Sequence, residues 1–271
     1  MKINGKEIVD EILKELQSKR QNYQEQIKLQ IITFKNDVAN TSYIKIKKNF
    51  AKKLNIKCNV YYLDETKTSK ELRKEISKIC KEKFVKGVII QLPIPVHLNK
   101  NMLINAIPDK LDIDCLTYKN LGRFYQGKEN IMPPTVSALD YLIKKYNLNF
   151  KNILLIGQGE LIGKPIAQYL TNHHYEFINI NHNSNDNINQ LCQMSDVIIT
   201  GVGINNLVKF DFIKKDSIIF DYGCNKQETI CGDCEINKDF ENKCSFFTPV
   251  PNGLGPVVVA KLFENLLKRI N

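Results

Sequence analysis

The chain has 271 residues, 43% hydrophobic and 25% charged, the balance of a soluble globular protein with enough material for two lobes of ordinary size. No apolar run approaches the length needed to cross a bilayer, which excludes a membrane-spanning helix. The net charge of +10 comes from lysines scattered along predicted helices and loops, without the aromatic interleaving of a nucleic-acid groove, so the charge reads as a solvated surface and not as a nucleic-acid site.

Residues 1–16 place apolar side chains at helical spacing among charges. This predicts a surface helix without the apolar core of a secretory signal, and so a cytoplasmic protein. Residues 29–34 and 60–63 predict strands, residues 42–54 a helix on which Tyr43, Ile46 and Phe50 recur, and residues 69–84 a helix with Leu72, Ile76 and Ile79 on one face. The run 84–90, short and β-branched, predicts a buried parallel strand. This alternation implies a parallel sheet. A helix over about 135–146 leads into a strand at 152–156, where the alternation begins again, and that restart marks a lobe boundary. Later strands are predicted at 176–180, 196–200 and 217–221, and the last helix, 256–269, is apolar at Val257, Ala260, Leu262, Phe263 and Leu266 and must return to a core.

Three constellations could carry chemistry. Gln91-Leu92-Pro93-Ile94-Pro95 emerges at the carboxyl end of a strand, the ligand edge of an open α/β sheet, and Lys110-Leu-Asp-Ile-Asp114 follows it. Gly157-Gln158-Gly159 through Gly163-Lys164-Pro165 follows a strand and opens a helix, the context of a nucleotide-binding turn, although its G-x-G-x-x-x-G spacing is one residue longer than the usual dinucleotide fingerprint and a purely structural turn is the alternative. The next strand ends in Asn181-His182-Asn183-Ser184 with no carboxylate to accept from a ribose 2′-hydroxyl, which tilts the cofactor toward NADP and leaves NAD possible. Tyr43 and Lys47 share one helix face, where partial burial would lower a lysine toward a proton-transfer role, although a solvated lysine is the blander reading. Eight cysteines lack a secretory context, and the group Cys224, Cys231, Cys234 and Cys244 contains one C-x-x-C without its usual second half, so free thiols and no metal are expected.

With Tyr43-x-x-x-Lys47, the Gln91 segment, Leu111-Asp-Ile-Asp114, Gly157 to Pro165 and Thr248-Pro-Val-Pro251-Asn-Gly253-Leu-Gly255-Pro256 in this order, the chain resembles the bifunctional methylenetetrahydrofolate dehydrogenase/cyclohydrolase family. Ile3-Asn-Gly-Lys-Glu-Ile, Asp221-Tyr-Gly223-Cys-Asn225 and Gly232-Asp233 look like further landmarks. The resemblance implies an α/β protein of two lobes: a folate-binding catalytic lobe of residues 1–140 completed by the carboxyl-terminal helix, 256–271, and a Rossmann-like dinucleotide lobe of residues 141–255. It implies oxidation of 5,10-methylenetetrahydrofolate with NADP, then hydrolysis to 10-formyltetrahydrofolate, one-carbon chemistry of the kind that serves purine biosynthesis, in a homodimer. Carried over by position, Lys47 is the proton-transfer residue, Tyr43 borders the folate ring, Gln91 holds and tunes Lys47, and Asp114 accepts from the pterin edge. Leu92, Pro93, Pro251, Gly253 and Gly255 would line the substrate, with Gly253 and Gly255 allowing close backbone approach. Gly157, Gln158, Gly159, Gly163, Lys164, Pro165, His182, Ser184, Gly201 and Gly223 would hold the cofactor. The alternatives are a dehydrogenase without the hydrolase and a non-catalytic folate or nucleotide binder.

Several positions depart from the family pattern. Gln158-Gly159 stands where Arg-Ser is usual, removing a guanidinium that would grip a 2′-phosphate, and His182 is followed by Asn-Ser-Asn where Ser-x-Thr is common. Pro134 replaces a Cys, Asn252 a Gly and Val258 a Thr, and an extra residue near Leu111 precedes Asp112.

Overall fold

The computed structural model describes residues 1–34, 38–181, 187–226 and 230–270. In chain order the elements are α1 (Gly5–Gln21), β1 (Lys28–Phe34), α2 (Val38–Lys53), β2 (Lys57–Leu63), α3 (Ser69–Cys80), β3 (Val85–Ile90), α4 (Lys100–Ile104), α5 (Tyr118–Tyr125), α6 (Pro134–Tyr146), β4 (Ile153–Ile156), α7 (Gly163–Asn172), β5 (Phe177–Ile180), α8 (Ile188–Met194), β6 (Val197–Thr200), β7 (Ser217–Asp221), β8 (Asn225–Lys226), β9 (Ile230–Cys231), α9 (Lys238–Lys243), β10 (Cys244–Thr248) and α10 (Leu254–Lys268). Two compact units result, an amino-terminal one of residues 11–134 with 259–271, and a carboxyl-terminal one of residues 1–10 with 135–258. No helix among the described residues is long and apolar enough to cross a membrane.

The amino-terminal unit holds a parallel sheet in the order β2-β1-β3. Its central strand, Lys-Leu-Gln-Ile-Ile-Thr-Phe, is buried at every position after the first, as expected of a parallel strand covered on both faces. Leu72, Ile76 and Ile79 of α3 enter the apolar cluster with Ile32, Val88 and Ile90 of the sheet. A capping box starts α3: Thr68 Oγ1 accepts from Glu71 N, and Thr68 N donates to Glu71. The helix ends at Cys80, four residues short of the sequence expectation, and Phe84 takes φ +68°, a left-handed conformation that no helix continues. The segment of α10 from residue 259 onward completes this unit. Phe263 stacks on Phe50 with ring centroids 4.8 Å apart, and a Cβ on Gly87 would lie 2.6 Å from Leu266 Cδ1. Asn265, 1% exposed, donates its amide to Ile113 O and Met132 O, each at 2.9 Å.

The carboxyl-terminal unit is a five-stranded parallel sheet in the order β10-β7-β6-β4-β5. The chain leaves β4 for β5 on one side and returns to β6 on the other, so the strand order reverses at β4, the place where doubly wound sheets bind ligands. Strand β10 is absent from the sequence reading, because a five-residue Cys-Ser-Phe-Phe-Thr segment has too little period to separate a strand from a loop. It also corrects the lobe assignment of residues 1–10. Ile3 N donates to Phe247 O at 3.1 Å and Phe247 N to Met1 O at 2.9 Å, so the chain start extends the β10 edge and groups with this unit.

Asn265→Ala leaves the buried Ile113 O and the half-buried Met132 O without their donor. It is expected to cost about 2 kcal/mol and lower the urea midpoint of the first unfolding transition, followed by circular dichroism. An unchanged midpoint would show that those carbonyls find other partners.

Candidate active site

The amino-terminal unit gathers its candidate residues at the carboxyl end of β3. Gln91 follows that strand directly, and its backbone N donates to Ile32 O at 2.8 Å, so the sheet ladder fixes where its side chain begins. Lys47, on α2, is 8% exposed and points its Nζ at Gln91 Oε1, 2.9 Å away. Tyr43, one turn earlier, is 37% exposed. Leu92 packs against the apolar cluster while Pro93 is exposed, and the Leu92–Pro93 peptide is cis.

Asp114 lies on a segment pinned on both sides. Asp112, 2% exposed, accepts from Leu116 N, Thr117 N, Thr117 Oγ1 and Asn120 Nδ2. Asn265 holds Ile113 O, and Arg269 donates to Asn120 Oδ1 at 2.9 Å. In this tight segment Leu111 O accepts from Val88 N at 2.8 Å. Burial lowers the Lys47 pKa, and Asp114 first, then Cys58, oppose that shift. Burial raises the Asp114 carboxyl to about 6, against the pull of Lys47 and with a push from Asp112. The result is a sheltered amine whose pKa is lowered, beside a carboxylate that still ionises at neutral pH.

In the carboxyl-terminal unit the glycine-rich turn joins β4 to α7. Gly157 sits at φ +116°, and a Cβ on Gly163 would fall 2.2 Å from Gly157 O, so both positions require glycine. Pro165 is buried in the first turn of α7, whose N-cap, Ile162, offers no side-chain hydrogen bond. Gln158, Gly159 and Lys164 are exposed around it. Lys164 N donates to Gly159 O at 2.9 Å and Pro165 carries no N–H, so a dinucleotide pyrophosphate would be met by the glycine-rich backbone of residues 157–163 and the positive end of the helix, not by a full turn of free amides. Gly201 follows β6 and Gly223 lies two residues past β7, on the same carboxyl edge of the sheet.

His182 and Ser184 lie outside the described residues. Pro251 is exposed after a cis Val250–Pro251 bond. A Cβ on Gly253 would lie 2.2 Å from Pro249 O, a close backbone approach, whereas one on Gly255 would meet no atom within 4 Å. Asn252, in place of the usual glycine, takes φ +72° and accepts from Gly5 N at 2.9 Å, keeping the left-handed turn. Among the described residues no group of three or more His, Cys, Asp or Glu is placed to hold a metal ion. Cys234 and Cys244 are buried, and burial raises both thiols, Cys244 to about 12. Sequence reasoning missed the Asp112, Asn120, Asn265 and Arg269 supports and the proximity of Cys58 to Lys47, since each depends on contacts between segments distant in the chain.

A family model described as tetrahydrofolate dehydrogenase/cyclohydrolase, catalytic domain, matches residues 3–114, and a second, described as tetrahydrofolate dehydrogenase/cyclohydrolase, NAD(P)-binding domain, matches residues 133–271. The chain belongs to the tetrahydrofolate dehydrogenase/cyclohydrolase family. Among its relatives, the bifunctional protein FolD of Clostridium botulinum (strain Alaska E43 / Type E3) is 32% identical, covering 97% of this chain and 95% of that protein. The crystal structure of the bifunctional FolD methylenetetrahydrofolate dehydrogenase/cyclohydrolase from Campylobacter jejuni is similar with a TM-score of 0.92 at 29% identity, covering 99% of this chain and 98% of that one. The Trypanosoma brucei FolD structure, complexed with NADP cofactor and inhibitor, shares the fold with a TM-score of 0.92 at 24% identity over 99% of this chain and 96% of that one. Lys47 and Gln91 lie in the stretch matched by the catalytic-domain model, and the Gly157 turn in the stretch matched by the NAD(P)-binding model.

Because Asp114 holds the Lys47 pKa up, Asp114→Asn is expected to let Lys47 react with an amine-selective acylating reagent at lower pH than in the parent. Peptide mass spectrometry across a pH series checks this, and an unshifted labelling curve would remove the coupling.

Proposed function

We infer that this protein is a bifunctional methylenetetrahydrofolate dehydrogenase and methenyltetrahydrofolate cyclohydrolase. It oxidises 5,10-methylenetetrahydrofolate to the methenyl cation with NADP, and then adds water to give 10-formyltetrahydrofolate. The observation that carries the reading is the buried Lys47 amine, 2.9 Å from Gln91 Oε1, in a chain matched by both the catalytic and the NAD(P)-binding domain of the family. That this fold takes NADP is illustrated by the trypanosomal structure.

The bound nicotinamide supplies the hydride acceptor. The chain supplies the surroundings and the protons. Hydride departure leaves a cation on the folate, and a neutral amine beside it opposes that charge far less than an ammonium would, which is the value of lowering the Lys47 pKa by burial. Hydration of the cation needs a base for the entering water and an acid for the nitrogen released as the ring opens. Lys47 can serve as both in turn, taking the proton from water and returning one to the leaving amine. Gln91 Oε1 fixes where the Nζ points, Tyr43 borders the pterin, and the Asp114 carboxylate accepts from its N–H edge. Leu92, Pro93, Pro251, Gly253 and Gly255 complete the substrate lining. Gly157, Gln158, Gly159, Gly163, Lys164, Pro165, His182, Ser184, Gly201 and Gly223 receive the dinucleotide. The protein works in the cytoplasm as a homodimer and feeds formyl groups toward purine biosynthesis, readings supported by family membership.

The direct test is the absorbance rise of methenyltetrahydrofolate when the purified protein meets 5,10-methylenetetrahydrofolate with NADP or with NAD. A rise with NADP exceeding that with NAD is expected, and no rise with either would end the enzyme reading. Lys47→Met is expected to cut methenyltetrahydrofolate hydrolysis by about 100-fold or more while dehydrogenation persists. Hydrolysis at the parent rate would refute the role of Lys47. As pH falls through about 6 the Asp114 carboxylate takes up a proton and loses its acceptor, so kcat/KM for the folate is expected to fall in that window, and Asp114→Asn to lack this acidic limb.

A further inference from the structure

Two carboxylates without a task in this chemistry lie at the ligand edge of the carboxyl-terminal sheet. Asp221 and Asp233 are 1% and 0% exposed, and both are held by uncharged donors. Asp221 accepts from Gly223 N at 2.7 Å, Asp233 N at 3.1 Å and Cys234 N at 2.9 Å, which seats the 232–234 turn against the end of β7. Asp233 reaches across to β6. Its Oδ2 accepts from Thr200 Oγ1 and Val202 N, each at 2.8 Å, and its Oδ1 from Ile204 N at 2.9 Å.

The three donors are alternate residues, so the backbone of residues 200–204 wraps around one carboxylate, and Gly201 lies between the first two. Val202, fixed through its amide, presses its side chain on the nucleotide turn: a Cβ on Gly157 would meet Val202 Cγ1 at 2.9 Å. On the other side, a Cβ on Gly223 would meet Asp233 Oδ1 at 2.4 Å. A single buried group therefore adjoins the three glycine positions 157, 201 and 223, directly or through Val202. A buried carboxylate without a cation is expensive, and it persists only where its hydrogen bonds are complete. Three converging donors on two oxygens call for a carboxylate, because an amide would turn an NH2 toward at least one N–H or O–H.

We propose that Asp233 is the positioning residue of the dinucleotide site, setting the 201–204 loop, and through Val202 the Gly157 turn, in the arrangement that receives the cofactor. The proposal rests on the dinucleotide reading of this edge and adds a residue that need not touch the ligand.

The test uses the full-length protein with Asp233→Asn and Thr200→Val, each titrated with NADPH by fluorescence and assayed for methenyltetrahydrofolate hydrolysis without dinucleotide. Asp233→Asn is expected to raise the NADPH Kd about tenfold or more, and Thr200→Val, which removes one of three donors, by about threefold. Hydrolysis should stay within about twofold of the parent, because Lys47, Gln91 and Asp114 belong to the other unit. A merely structural role would lower the melting temperature and leave the Kd of the folded protein unchanged. Folded Asp233→Asn with the parent Kd overturns the proposal. Should that variant fail to fold, a parent Kd in Thr200→Val overturns it equally. A parent protein that binds no NADPH would instead refute the dinucleotide reading itself.

Discussion

The hydrogen bond from Lys47 Nζ to Gln91 Oε1 is the interaction on which the proposed chemistry depends. An amine removed from water loses the hydration that stabilises its charge, and the balance between ammonium and free base then falls to a few neighbours. Gln91 supplies a neutral acceptor, which orients the amine without restoring a full counter-charge. Asp114 supplies the opposing pull, and its own carboxyl is raised to about 6 by the same shelter. Burial lowers the lysine's pKa and the nearby carboxylate limits that shift, the direction that the proposed proton transfer requires.

That balance rests on supports that do no chemistry. The backbone of Gln91 is a rung of the β3 ladder, so the acceptor cannot drift. Asp112 gathers four donors around the segment carrying Asp114, and the returning carboxyl-terminal helix grips its backbone through Asn265. Mobile supports would let Asp114 approach or leave Lys47, and in a medium of low polarisability small displacements move pKa values strongly.

The carboxyl-terminal unit solves its own problem with opposite materials. In the proposed dinucleotide site a pyrophosphate is met by backbone and glycines, and the loops that present them must be held in place from within. Buried carboxylates take over that task. Asp221 and Asp233 bind loop amides from inside, at the cost of raising the Asp221 carboxyl to about 6 through burial and the neighbouring Asp233. Each unit thus buries charge where geometry must be fixed, one beside Lys47 and the other behind the glycine loops.

The alternation of strands and helices was legible because a buried parallel strand is a continuous apolar run and an amphipathic helix repeats every third or fourth residue, as β1 and α3 show. The Gly157 turn was legible because its strand and helix flank it directly. Strand β10 and the docking of residues 1–10 on it were not, since a short segment carries no period and an edge pairing depends on a partner nearly 250 residues away. The amino-acid order by itself determined the class of fold, the family, and the identities of Lys47, Gln91 and Asp114. Only the tertiary structure decided that Lys47 is buried, that it meets Gln91, and that Asp233 binds the 201–204 loop. Burial, and with it the pKa of a side chain or the reach of a carboxylate, is a property of what packs around a residue and not of the residue.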